Sequence, residues 1–115
     1  MAADPAFELR CERRDAAAVV AVSGELDLAS AEQLREALRS PEAQAPTVIL
    51  DLRKVSFIDS SGLSVVVGEH RRATAADCRF AVAVGGAPAV QRLFDLSGLA
   101  GPIMLVADPD AVLRG

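Results

Sequence analysis

At 115 residues, with 51% of them hydrophobic, the chain has the length of one domain and enough apolar material to close a core, which excludes disorder. Aromatics are only 3%, Trp and Tyr are absent, and the formal charge is −4. Both features count against a nucleic-acid binder, which needs stacking platforms and a basic surface.

The N-terminal stretch MAADPAFELR has no basic segment ahead of an apolar one, so no secretory signal is expected. No apolar run is long enough to span a membrane, and the expected compartment is the cytoplasm. Cys11 and Cys78 stand alone and far apart. They read as buried, reduced thiols within strands, not as a disulfide or a metal site.

FELRCER alternates Phe7, Leu9 and Cys11 with Glu8, Arg10 and Glu12, the period of a strand with one wet face. AAAVVAVSG follows a short charged turn, and its denser apolar run predicts a more central strand, paired with the first as a hairpin. The exposed edge at FELRCER is a candidate pairing surface. In ELDLASAEQLREALRS, Ser30 and Gln33 form a capping-box signature at a helix start. Leu34 and Leu38 then share one face, with Glu32, Arg35, Glu36 and Arg39 toward water. Pro41 and Pro46 bracket a loop, and TVILDL predicts a covered strand.

After Asp59, Leu63, Val66, Val67 and His70 fall at i, i+3, i+4 and i+7 and predict a helix, against the local strand propensity of the valines. Arg71 and Arg72 read as its solvated end. RFAVAVGG predicts a buried strand, and Gly85 and Gly86 a turn. Pro88 opens a helix with Val90, Leu93 and Phe94 on one face and Gly98 at its end. PIMLVA is a last short strand, and DPDAVLRG a final helical turn with Asp108 as cap and Pro109 at the first position. Residues 1–115 therefore read as a single α/β domain of order β-β-α-β-α-β-α-β-α. A mixed sheet of about five strands is expected, an N-terminal hairpin followed by largely parallel strands in right-handed crossovers.

The candidate chemistry lies in SFIDSSGLSVVVG, residues 56–68. Asp59, Ser60 and Ser61 all qualify as helix caps, since each carries a side-chain oxygen for the free N–H groups of the first turn. A nucleophilic serine needs a base, but His70, the only histidine, lies more than two helical turns along, and no G-x-S-x-G elbow is present. A third reading is phosphorylation. The dipole and free N–H groups of a helix start favour an anion, and the added charge of roughly −1.5 to −2 beside Asp59 would repel a close-fitting partner. No phosphate-loop or dinucleotide motif exists, and Asp27, Asp51 and Asp59 lack the tight spacing of a metal site. DLSGL at 95–99 shares four letters with DSSGL at 59–63, yet it closes a helix where the other opens one.

SGELDLASAEQLREAL, VILDLRKVSFIDSSGLSVVVG and PAVQRLFDLSGL, in this order and spacing, resemble the bacterial anti-sigma factor antagonists of the STAS domain family. The resemblance covers about residue 7 to the C-terminus. It implies a STAS-like sheet with helices packed on one face, no enzymatic activity, no cofactor and partner switching. The unmodified protein would bind an anti-sigma factor that is also a serine kinase, releasing a sigma factor. Phosphorylation would break the complex, and a PP2C-type phosphatase would reset it. By motif the acceptor is Ser60, with Ser61 the runner-up. Asp59 would orient the acceptor or the kinase's nucleotide, and Asp27 matches a partner-recognition position whose alternative reading is a cap. Gly62 belongs to the same partner-binding motif. Ser64 stands where the family commonly has glycine, which bears on affinity and choice of kinase. The rival reading is an unphosphorylated STAS subunit of a lipid-transport ABC assembly.

Overall fold

The computed structural model describes residues 7–98 and 101–114. Its elements are β1 (Glu8–Arg14), β2 (Ala17–Leu26), α1 (Leu28–Arg39), β3 (Thr47–Ile58), α2 (Ser60–Ala75), β4 (Arg79–Ala83), α3 (Pro88–Ser97), β5 (Met104–Val106) and α4 (Asp110–Leu113). A 3-10 turn, Pro41–Ala43, lies in the expected proline-bracketed loop. The sheet order is β1-β2-β3-β4-β5. β1 pairs antiparallel with β2, and the remaining pairs are parallel, as the sequence predicts.

The strand period of two sorts the core onto two faces. Val20, Val22, Leu50, Leu52, Phe80 and Val82 point to one side. There they pack against Leu34 and Leu38 of α1, Val65 and Val66 of α2, and Val90 and Phe94 of α3. Val19, Ile49 and Ala81 point to the other side, where Val112 of the short α4 covers them. Asp108 Oδ1 accepts the Ala111 N–H at 3.1 Å, but α4 begins at Asp110 with Pro109 in the N-cap place, one residue later than the expected start with Asp108 as cap and Pro109 first. Gly98, with φ 76°, ends α3 in the left-handed conformation that glycine adopts without penalty.

Four further local expectations need correction. First, α1 begins at Leu28, so Ser30 is not its cap. Asp27 is the N-cap and Ser30 the third helical residue, together forming the reciprocal capping box. Second, the buried stripe of α2 is Gly62, Val65, Val66, Glu69 and Ala73, rotated by about one residue from the predicted one. Leu63 and His70 are only half-buried. Third, Cys78 precedes β4 instead of lying in a strand. Both thiols are unpaired and half-buried, and burial pushes the Cys11 thiol up, with Glu42 adding to the effect. Fourth, Arg72 is not a merely solvated residue. Its guanidinium donates to both carboxylate oxygens of the buried Glu69 and to the Leu38 carbonyl at the end of α1, each at 3.2 Å.

β3 also runs beyond TVILDL, to Ile58. Its register against β2 shifts twice, between Ala21 and Ser23 and between Gly24 and Glu25, each time with an extra residue on β3. Past Leu52 its buried residues are therefore Val55 and Ile58, three apart instead of two.

Candidate functional site

β2 and β3 end level with each other, with Leu26 opposite Ile58. The next residue on each strand is an aspartate in nearly the same extended conformation, φ −115° and ψ −167° at Asp27, φ −114° and ψ −171° at Asp59. Each caps a helix, so two helix N-termini stand side by side at the C-terminal edge of the parallel sheet. This is the edge where open α/β sheets build their sites. The Asp59 N–H donates to the Leu26 carbonyl at 3.3 Å and ties the two strand ends together.

Asp59 Oδ1 accepts the N–H groups of Ser61 and Gly62, at 2.9 and 3.2 Å. The Leu63 N–H closes the first turn on the Asp59 carbonyl. Thus Asp59, not either serine, is the cap. Two of the N–H groups expected to greet an anion are already held by its carboxylate. Asp27 Oδ1 accepts the Ser30 N–H at 3.1 Å, while Ser30 Oγ accepts the Asp27 N–H at 2.9 Å and lies 2.8 Å from the Glu25 carbonyl. Hydrogen bonds from the Ser30 N–H and then the Ser30 hydroxyl hold the Asp27 carboxyl below the usual range.

Gly62 is buried where α2 meets the two strand ends. A Cβ there would lie 2.8 Å from Leu26 Cγ, 2.9 Å from the Leu26 carbonyl oxygen and 3.0 Å from Ile58 Cγ1. Its lack of a side chain sets how closely α2 approaches the sheet, and hence the height of Ser60 above it. Ser60, the first helical residue, is exposed, and no described residue hydrogen-bonds its hydroxyl. Ser61 is half-buried, and Ser64, one turn on, is exposed beside Arg35 and Arg39 of α1.

The fold thus brings Asp27, Asp59, Ser60, Ser61, Gly62 and Ser64 to one rim. Asp51 is elsewhere, on the opposite sheet face with its carboxylate gripped by Arg53 at 2.9 Å through two nitrogens. His70 lies ten residues along one continuous helix from Ser60, about 15 Å of axial rise, out of reach of a serine hydroxyl.

Two residues of the rim are not among those the motifs pick out. Leu28 is 75% exposed and occupies in α1 the first position that Ser60 occupies in α2. Phe57, just before the site, is 47% exposed. For Leu28 the available signal was its misfit with the Leu34 and Leu38 face; for Phe57 there was none, because strand alternation from Val55 places it on the buried side. Large apolar side chains beside capped helix ends suit a docking surface for a macromolecule. A cavity of about 420 Å³ lies at the other end of the sheet, lined by Ala16, Ala17, Thr47 and Arg79 among others.

Comparison with known proteins gives a consistent pattern. The STAS domain family model matches residues 8–109. The anti-sigma F factor antagonist of Lysinibacillus sphaericus is 31% identical over 109 residues, covering 93% of this chain and 91% of that protein. An anti-sigma factor antagonist from Mycobacterium paratuberculosis has a similar structure, with a TM-score of 0.87 at 29% identity over 99% of this chain and 97% of that one. The Bacillus cell fate determinant SpoIIAA in its phosphorylated form gives a TM-score of 0.70 at 29% identity, covering 95% of this chain and 98% of that one.

Proposed function

The chain belongs to the STAS domain family, and from that premise we propose that it is an anti-sigma factor antagonist switched by phosphorylation of Ser60. The observation that carries the reading is the exposed, unengaged Ser60 hydroxyl placed directly after the capping carboxylate of Asp59. In the unmodified state the rim of Asp27, Leu28, Phe57, Asp59, Ser60, Ser61, Gly62 and Ser64 binds an anti-sigma factor that is also a serine kinase, and a sigma factor is released in the cytoplasm. The domain is a binding module and supplies no catalysis.

In the kinase complex, Ser60 Oγ attacks the γ-phosphorus of ATP, the bond to ADP breaks, and the hydroxyl proton passes to a base on the kinase. The product carries roughly −1.5 to −2 of charge at the rim. Because Asp59 already occupies the Ser61 and Gly62 N–H groups, the phosphoryl group gains little from the helix end and sits beside a carboxylate. Its effect therefore falls on the partner, not on the fold. A PP2C-type phosphatase hydrolyses the ester and resets the switch.

The test is incubation with the cognate kinase and ATP, followed by intact mass and a binding assay. The wild type should gain one phosphoryl group and lose the complex. Ser60→Ala should bind and stay unmodified. Ser60→Asp should bind weakly, with stability within about 0.5 kcal/mol of wild type. Full phosphorylation of Ser60→Ala would move the acceptor to Ser61 or Ser64, and a large stability loss in Ser60→Asp would make Ser60 a structural residue.

A further inference from the structure

β1 is an outer strand of the sheet, and among the described residues no strand pairs with its free edge. Such an edge presents unpaired N–H and C=O groups that template another strand. On the sheet face opposite α1, α2 and α3, β1 carries Glu8, Arg10, Glu12 and Arg14, all exposed. Their cross-strand neighbours on β2 are Ser23, Ala21, Val19 and Ala17, none of which is charged. Among the described residues, the only ion pairs that engage these four are Arg14 with Glu12 of its own strand and with Asp110 of α4, at 3.3 and 3.6 Å. Glu8 and Arg10 have no ion-pair partner among the described residues.

We propose that this edge pairs antiparallel with β1 of a second copy of the chain, about a two-fold axis at Cys11. In that register Arg10 of each strand faces Glu12 of the other, and Glu8 faces Arg14, so all four cross-strand charge pairs are of opposite sign. No other register gives four opposite-sign pairs, and the neighbouring registers set like charges together. A slide of two residues one way sets Arg10 against Arg10 and Glu8 against Glu12. A slide the other way sets Glu12 against Glu12 and Arg10 against Arg14. Parallel pairing in register opposes every charge with its own kind. Odd shifts turn the charged face of one strand against the Leu9 and Cys11 face of the other. On the helix side, Arg13 of each strand falls opposite Leu9 of the other, where its aliphatic stem can lie over the leucine. The result is one continuous sheet that joins the five-stranded sheets of both copies, and the contact is isologous, so it closes at two copies.

Sedimentation of the whole chain at low salt, over a wide concentration range, tests the inference. Wild type should approach the dimer mass as concentration rises, and added salt should weaken the association. R10E and E12R each create like-charge pairs and should self-associate about tenfold or more weakly. An equimolar mixture of the two variants should dimerise again, because one chain then carries glutamate at both positions and the other arginine at both. The double variant R10E/E12R should dimerise alone. Far-UV circular dichroism and thermal melts confirm that these exposed substitutions leave the fold intact. A wild type that stays monomeric throughout, single variants that associate like wild type, or a mixture that fails to recover the dimer would each overturn the proposal.

Discussion

Alanine at position 62 separates close packing from helix propensity, because α2 contains a second glycine in a different setting. At Gly62 the new methyl carbon would come within 2.8 Å of Leu26 Cγ and 2.9 Å of the Leu26 carbonyl oxygen. Relaxed contacts between carbon atoms lie near 3.5–4.0 Å. Leu26 is fully buried and its oxygen is backbone, so neither can step aside, and the first turn of α2 must lift. Overpacking of this kind costs about 1–3 kcal/mol, while replacing a helical glycine by alanine returns at most about 1 kcal/mol. The net expectation for Gly62→Ala is a loss of up to about 2 kcal/mol. Gly68, on the exposed face of the same helix, has nothing within 4 Å of its virtual Cβ. Gly68→Ala should therefore gain about 0.5–1 kcal/mol. With no Trp or Tyr to report unfolding, urea titration followed by far-UV circular dichroism is the suitable assay. Changes of the same sign in the two variants, or a Gly62→Ala protein at least as stable as wild type, would refute the packing argument.

Further substitutions probe the frame of the site. Asp59→Ala removes the acceptor for two first-turn N–H groups and should cost about 1–2 kcal/mol in urea titration, with Asp59→Ser recovering much of it. Asp27 has its folded pKa depressed by Ser30, so its contribution is complete above the ordinary value of 3.8 and is lost as pH falls through the lowered value. The stability gap between wild type and Asp27→Asn should accordingly narrow as unfolding is measured at successively lower pH through that window. Arg72→Ala strips the buried Glu69 carboxylate of its cation and should cost about 1–3 kcal/mol, toward the low end because the guanidinium is partly exposed. Adding Glu69→Gln should restore part of that loss.

Element order and sheet type were legible because periodicity and turn chemistry agree along most of the chain, whereas the grouping of Asp27 and Ser64 with Ser60 was implied by the family resemblance alone. TVILDL, RFAVAVGG and the Val90, Leu93 and Phe94 face each state one period without ambiguity. The second half of β3 was not, because its two extra residues relative to β2 break the alternation on which strand reading depends. The start of α1 was misplaced for a related reason. Asp27 and Ser30 each carry a capping oxygen, and only the backbone conformation decides which one is outside the helix. The stripe of α2 was misassigned because Gly62 has no side chain to count as apolar and Glu69 has one that counts as polar, yet both are buried. The first is buried by close approach to the ends of β2 and β3, and the second together with its i+3 partner Arg72 against the end of α1, so both burials follow from packing between elements. Ser60 itself was picked out by motif. Its position after a carboxylate that already holds the helix N–H groups is a property of the fold.

Two ties described separately above act on the same pair of helices. Near their starts, the Asp59 N–H meets the Leu26 carbonyl; near their ends, Arg72 reaches from α2 to the Leu38 carbonyl of α1. α1 and α2 are thus braced at both ends, like the rails of a ladder with its first and last rungs in place. Such a pair resists splaying, so a charge added at the top rung has no lever by which to reshape the remainder. On the proposed function, a charge added there is read where it is written, by a molecule that touches that rung.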